Sequence, residues 1–184
     1  MSKTTPIYVI LLRAIGPATH RLMTMSQWRD AAGRAGFVAP ETLVNTGNLI
    51  AGFDGNADQV ARRMTDIVRG FGLGENVVPV VRHPALLAKI VEADPIPDAA
   101  AMRPNQTGIY FFVEPKPDFG WLGEHDGPEV VHVVHHHLVV DFSRDVAQAS
   151  KLIRKIDKHC GTNTARNWNS LGRIAERSRA RETE

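Results

Sequence analysis

The sequence predicts an α+β protein in which amphipathic helices are layered on a mixed β-sheet. Two observations support this prediction. The run Ile7–Leu12 is short, apolar and rich in β-forming residues, as expected of a central strand buried on both faces. Elsewhere, apolar residues recur at helical spacing behind capped starts. The elements follow the order β-α-β-α-β in the first half and α-β-β-β-α-α in the second, and no internal repeat is visible in the sequence.

After the first strand, Thr24 and Gln27 have the spacing of a capping box and predict the start of a helix. Trp28 lies on the apolar stripe of this helix, so we expect it to be buried. A strand is predicted over residues 42–51, with a polar interruption at Thr46–Asn48 where glycine permits a bulge or turn.

Asn56 caps a second predicted helix, whose apolar stripe includes Ile67. A strand is predicted over residues 77–81, and Pro84 opens a third helix that buries Leu87. A right-handed crossover in the first β-α-β segment would make neighbouring strands parallel. Because the second half contains a hairpin, we expect the sheet to be mixed.

Residues 94–104 contain three prolines and are predicted to be irregular. They are the best candidate for a boundary within the chain. We expect either one α+β domain over residues 1–184, or two lobes, 1–93 and 105–177, joined by this segment.

The second half is predicted to form a strand, a hairpin and two closing helices, over residues 107–113, 130–134 with 138–142, 146–159 and 164–177. Thr164 is a good N-cap for the last helix. This interpretation places Arg166 and Asn167 in its first turn and Trp168 on its buried stripe.

The composition excludes several classes of protein. Hydrophobic residues make up 43% and charged residues 23%, as in globular domains, and the net charge of +2 does not require nucleic acid or an anionic membrane as partner. Cys160 is the single cysteine, which excludes an internal disulfide and a thiolate-rich zinc site; we expect a structural thiol. The absence of a signal-like segment and of a long apolar run favours a soluble cytoplasmic protein. No nucleotide-binding, serine-hydrolase or zinc-protease motif is present, so no cofactor is predicted.

Four of six consecutive residues are histidines, His132 and His135–His137. Side chains alternate along a strand, and adjacent residues of a turn rarely converge on one ion. We therefore predict that His135–His137 lie at an exposed hairpin turn and bind no stoichiometric metal. A weak transition-metal site and a pH-sensitive hairpin are the alternatives.

Polar and cationic residues next to apolar segments are the candidates for ligand binding. A guanidinium at a strand end needs solvent, a carboxylate or a bound anion around it. The candidates are Arg13, Asn48, Lys151, Arg166 and Asn167. The structural alternative is that each cation pairs with a carboxylate such as Glu41, Glu92 or Asp157.

Short motifs in a fixed order resemble the bacterial family DUF1697, a domain of unknown function. They are Tyr8–Arg13, Met25, Asn45–Ile50, Val77–Arg82, Ser150–Leu152 and Thr164–Trp168. The resemblance runs from about residue 7 to residue 175. It implies an α+β fold and no established activity.

Two departures from the family pattern stand out. Family members usually carry Arg-Gly-Ile-Asn and a glycine-rich loop with a basic residue after the first strand. This chain has Ala14 in place of that glycine, and the usual asparagine is also replaced. The turn before Leu138 commonly contains glycine in the family, and here it contains histidines. The histidine run therefore belongs to this member and is not an inherited site.

Three functions are compatible with these residues. The first is binding of a polar or anionic small molecule between the lobes. The second is association with nucleic acid through the basic helix face of Lys151, Arg154, Lys155 and Lys158. The third is a hydrolase or transferase activity, although no nucleophile and base can be paired from the sequence.

Overall fold

The computed structural model describes residues 4–184. Its contacts divide the chain into two compact units. One contains the chain up to Ala88 together with Ile174–Glu184, and the other contains Lys89–Arg173. The proline-containing segment 94–104 lies within the second unit. No helix among the described residues is long and apolar enough to cross a membrane.

The first unit contains a four-stranded antiparallel sheet with the strand order β2-β3-β1-β4. Two helices separate β1 from β2, and one separates β3 from β4. The elements in chain order are β1 (Ile7–Leu12), α1 (Pro17–His20), α2 (Met25–Arg34), β2 (Val38–Thr42), β3 (Asn48–Gly52), α3 (Ala57–Gly70) and β4 (Pro79–Arg82). This β-α-β-β-α-β arrangement is the split β-α-β, or ferredoxin-like, topology.

The α+β class is confirmed, but the prediction of a mixed sheet is wrong. β1 and β2 are each antiparallel to β3, so they run in the same direction, as the predicted crossover requires. However, β3 lies between them, and they are not neighbours. The predicted strand over residues 42–51 is in fact the end of β2, a turn and β3.

The helices α2 and α3 pack on one face of this sheet. Trp28, Met64 and Val68 are buried there against Tyr8 and other alternate residues of β1. Both predicted caps are confirmed, since each capping side chain accepts from the amide three residues on and the glutamine there returns a hydrogen bond. Ile67 is only partly buried, whereas Leu87 is fully buried as predicted.

The second unit contains a sheet with the order β6-β7-β5-β8, again antiparallel throughout. Its elements are α5 (Pro97–Met102), β5 (Thr107–Phe112), β6 (Val130–Val134), β7 (His137–Asp141), α6 (Ser150–Cys160) and β8 (Asn163–Arg166). Two further helices, α4 (Pro84–Ala93) and α7 (Trp168–Arg181), each contain one of the divisions between the units.

The two sheets have the same topology. In both, the order is second, third, first and fourth strand, and a helix connects the third strand to the fourth. In the second unit, a 3-10 segment, Gly120–Glu124, takes the place of the first helix. The chain therefore contains a topological repeat that its sequence does not reveal.

The helix α6 covers one face of the second sheet. Leu152 and Ile156 pack there against Tyr110 and Phe112, and Cys160 ends the buried stripe as predicted. The alternate residues Ile109 and Phe111 point to the other face and are also buried.

Two further predictions for the second half are wrong. Residues 97–102 are helical because Pro97 occupies the first turn, where its missing amide is harmless. Thr164 and Arg166 lie in β8, because pairing with β5 outweighs the capping propensity of Thr164. The last helix begins at Trp168, which is half-buried.

Candidate functional site

Three chain segments meet at the end of β1 in the first unit. The amide of Leu12 donates to the carbonyl of Gly47 at 2.8 Å, and that of Arg13 donates to the carbonyl of Val78 at 2.9 Å. The ring Nε2 of His20 lies 3.2 Å from the carbonyl oxygen of Asn45. We call Arg13, His20, Asn45 and Asn48 the strand-end cluster.

The cluster contains a partly exposed cation. The Nη1 atom of Arg13 donates to the backbone carbonyl of Asn76 at 3.3 Å. Among residues 4–184, Arg13 forms no ion pair with a carboxylate. A guanidinium has five donor hydrogens in a planar fork, so most of this donor capacity is open to solvent or to a ligand.

Asn48 is the buried member of the strand-end cluster. It is fully buried, and its Nδ2 donates to the carbonyl of Leu43 and to Oγ1 of Thr46, both at 2.9 Å. These bonds shape the turn between β2 and β3. Asn48 and Arg13 are thus brought to the same end of the first sheet, with Asn48 in a positioning role.

The segments around the cluster contain three residues with left-handed backbone, Ala14 (φ 64°), Val44 (φ 58°) and Gly47 (φ 84°). A β-branched residue such as Val44 adopts this region rarely, and strain of this kind is common at functional sites. At Ala14 the backbone has a conformation that favours glycine.

Two of the predicted site residues, Lys151 and Arg166, lie apart in the second unit. Lys151 is exposed on α6, and its Nζ pairs with Oδ1 of Asp126 at 2.8 Å. Arg166 is opposite Ile109 in the register of β5 and β8, so it lies on the face of the sheet away from α6. Lys151 and Arg166 therefore lie on opposite sides of this sheet.

Arg166 is a buried cation. Its Nη1 donates to Oγ1 of Thr164 at 2.6 Å and to the carbonyl of Ala165 at 2.8 Å. Burial lowers its pKa to about 10, which leaves the guanidinium charged at neutral pH. Asn167 caps α7, since its Oδ1 accepts from the amide of Ser170 at 2.9 Å.

The histidine run divides between turn and strand. His135 (φ 47°) and His136 (φ 64°) form an exposed two-residue turn, as expected of a type I′ hairpin. The prediction for His137 is wrong, because it begins β7 and is only 3% exposed, with Nδ1 2.6 Å from the carbonyl oxygen of His135. Across residues 4–184, no group of three or more His, Cys, Asp or Glu side chains could hold a metal ion.

One buried cluster was not predicted. Glu129 Oε2 lies 3.0 Å from Nε2 of His125, and its Oε1 accepts from Nη2 of Arg144 at 2.8 Å. The His125 and Glu129 side chains are 7% and 2% exposed. Burial raises the pKa of Glu129, but the hydrogen bonds from Arg144, its own backbone and His125 outweigh this effect, so the net shift is downward. These residues lie in two loops without helical or strand periodicity, so no sequence pattern predicts their pairing.

The fold and the strand-end cluster together define a two-unit α+β protein built from two antiparallel sheets of split β-α-β topology. The family model described as "Protein of unknown function (DUF1697)" matches residues 6–138, and the chain belongs to this family. The matched region contains Arg13 and Asn48 but ends before Lys151, Arg166 and Asn167.

A solved structure has a similar fold. It is that of a conserved bacterial protein from Streptococcus pneumoniae, which is 14% identical and aligns over 95% of this chain and 99% of its own, with a TM-score of 0.73. No curated protein matches the sequence. The comparisons therefore establish the family and the fold, and a function has to be argued from the residues themselves.

Proposed function

We propose that this protein binds a small anionic or polar molecule in the cytoplasm, and that Arg13 is the cationic contact in the strand-end cluster. The observation that carries the proposal is the set of hydrogen-bond partners of Arg13. Its guanidinium donates to a neutral carbonyl and forms no ion pair among the described residues. An arginine fork of this kind is suited to two parallel hydrogen bonds with a carboxylate or a phosphate.

The surroundings of Arg13 support an anionic ligand over a cation. His20 and the exposed side chains of Asn45 and Thr46, on the neighbouring segments, add hydrogen-bonding groups. In this proposal Asn48 shapes the turn, whereas Arg166 and Asn167 act on the fold of the second unit.

Thermal unfolding in the presence of anions tests the proposal. Phosphate, sulfate, acetate and citrate at matched ionic strength are compared with chloride, for the wild type and for Arg13→Ala. We expect one or more of these anions to raise Tm of the wild type in a saturable manner, since a ligand that binds the folded state stabilises it. The shift should disappear in Arg13→Ala and be partly kept in Arg13→Lys, which retains the charge without the fork.

Arg29→Ala is the matched control. Arg29 is an exposed arginine of the same unit that pairs with its neighbour Asp30 at 2.9 Å. Its loss should leave the anion response unchanged. An anion response of equal size in Arg13→Ala and in the wild type would contradict the proposal.

A second candidate function rests on the outer face of α6. Lys151, Arg154, Lys155 and Lys158 have the spacing of one helical stripe, and the structure places this stripe away from the buried residues Leu152 and Ile156. A stripe of this kind could contact the phosphates of a nucleic acid.

Retention on heparin and binding to duplex DNA at several salt concentrations test this alternative. Contact with several phosphates predicts that log K falls with log salt by about 0.9 per phosphate. The double variant Lys155→Glu/Lys158→Glu should abolish binding, whereas Arg29→Glu, with one charge reversed on another helix, should not. Weak retention of the wild type at low salt would exclude this function.

A further inference from the structure

The strand β6 forms one edge of the second sheet and is unusually unprotected. Its five residues, Val130–Val134, pair in unbroken register with β7 and contain no proline, lysine, aspartate or glutamate. The side chains of Val130 and Val133 are 47% and 50% exposed. A regular, apolar edge strand of this kind is a template for pairing with another strand.

The corresponding strand of the first unit shows the protections that β6 lacks. β2 contains Pro40, a register shift between Val38 and Glu41, and a left-handed residue, Ala39 (φ 45°). Glu41 on this strand is ion-paired with Arg177 and Arg181. Proline, bulges and charges are the usual devices against edge-to-edge association. The two edges therefore differ although the topology of the sheets is the same.

The direction of the hydrogen-bonding groups follows from the hairpin. With a two-residue type I′ turn at His135 and His136, Val134 and His137 form a hydrogen-bonded pair, and such pairs recur at every second residue. The backbone groups of Val131 and Val133 then point outward. Within the described residues, no hydrogen bond involves these outward groups.

The sequence of β6 identifies the partner. Val-Val-His-Val-Val is a palindrome centred on His132. In an antiparallel pair of two identical strands related by a twofold axis at His132, Val131 lies opposite Val133 of the other copy, and Val130 lies opposite Val134. Each outward pair of residues exchanges two hydrogen bonds, which gives four across the axis. Valine then meets valine at every position except the centre.

We propose that β6 is a self-association edge, through which two copies of this chain pair antiparallel and join their second-unit sheets into one eight-stranded sheet. The contact uses five residues from each copy, well below the size of a stable interface. The dimer should accordingly be reversible and dependent on protein concentration.

Sedimentation velocity from about 10 µM to 1 mM tests the association, a range chosen because small interfaces are weak. The wild type should shift from monomer towards dimer as the concentration rises. Val133→Lys should remain monomeric throughout. The matched control is Val38→Lys, which places the same charge at a valine of similar exposure, 53%, on the edge strand β2. This control should associate like the wild type.

A cysteine scan then tests the register. The α-carbons of His132 in the two copies face each other as a non-hydrogen-bonded pair, about 4.5 Å apart, which is within the range of a disulfide. His132→Cys should form a covalent dimer under mild oxidation. Val130→Cys should not, because its partner in this register is Val134. Cys160 is buried and common to both variants, so it provides no competing bond.

The outcomes are decisive in both directions. A wild type that stays monomeric at 1 mM would overturn the proposal. So would a dimer that survives Val133→Lys, or one that crosslinks through Val130→Cys and not through His132→Cys. Circular dichroism of each variant confirms that the exposed substitutions leave the fold intact.

Discussion

Arg82 and Arg166 occupy the same position in the two sheets. Each ends the fourth strand of its unit and lies opposite the third residue of the first strand, Val9 for Arg82 and Ile109 for Arg166. Burial lowers the pKa of both guanidinium groups to about 10. Two units with little recognisable sequence similarity thus place a desolvated arginine on the same face of the same topology.

The burial of Arg166 predicts a structural role that can be measured without a ligand. Arg166→Ala removes the hydrogen bonds to Oγ1 of Thr164 and to the carbonyl of Ala165, and should lower the free energy of unfolding by roughly 2–3 kcal/mol. Urea unfolding followed by tryptophan fluorescence measures this loss. Arg154→Ala, on the exposed face of α6, should have almost no effect. If both variants unfold at the wild-type urea concentration, Arg166 has no such role.

Glu129 predicts a pH dependence of stability. Its pKa is lowered in the folded protein, so its contribution is present above the unfolded pKa, about 4.3, and is lost as the pH falls through the folded value. Glu129→Gln keeps the shape but removes the charge, and should cost on the order of 2 kcal/mol at pH 7. Unfolding at pH 7 and at pH 3 should show a larger difference between wild type and variant at pH 7 than at pH 3.

The control for this prediction is Asp126→Asn. Asp126 pairs with Lys151 but is 77% exposed, so the loss of its charge should not measurably change stability at either pH. Equal effects of the two substitutions would show that burial of Glu129 does not determine its contribution.

Strands with strong apolar character could be predicted from the sequence. β1, β5 and β6 are short β-forming runs, and the structure keeps their predicted positions within a residue. Most of β2 was not predicted, because it contains Pro40 and its first side chains are exposed, so it lacks the apolar pattern of a strand. β8 is short and polar, and Thr164 resembles a helix cap, so only its pairing with β5 distinguishes strand from helix.

The positions of the candidate site residues depend on the same elements. Arg13 follows β1 and Asn48 begins β3 opposite Leu11, so both residues lie at the same end of the first sheet. The prediction that Arg166 lines one site with Lys151 assumed a helix turn over residues 164–166. These residues form a strand, so Arg166 lies on the face of the second sheet away from α6. His125 and Arg144 reach Glu129 from outside regular elements, where no periodicity predicts a contact.

The left-handed backbone of Ala14 predicts that a single substitution will stabilise the protein. Glycine adopts φ 64° without steric penalty, so Ala14→Gly should raise the free energy of unfolding by about 0.5–1 kcal/mol. Ala61→Gly, inside the helix α3, is the opposite case and should lower it by about 1 kcal/mol. Destabilisation by both substitutions would mean that position 14 does not hold this conformation in solution.

Gly47 and Gly72 provide a matched pair that isolates crowding at the strand-end cluster. Both have φ 84°, so alanine at either position carries the same backbone strain, about 1–2 kcal/mol. A Cβ at Gly72 would meet no atom within 4 Å, whereas one at Gly47 would lie 2.7 Å from Cγ1 of Ile15 and 3.1 Å from Cβ of Leu12. Gly47→Ala should therefore lower the free energy of unfolding by a further 1–3 kcal/mol, as expected for overpacking.

The same pair of variants tests the anion response. The carbonyl of Gly47 accepts from the amide of Leu12, so a displaced turn also displaces the end of β1. Gly47→Ala should therefore weaken the anion response, and Gly72→Ala should preserve it. Chemical denaturation measures the stability of the two variants, and Tm with and without anions measures their response. Equal losses of stability in the two variants would show that a Cβ at position 47 does not clash with Ile15 and Leu12 in solution.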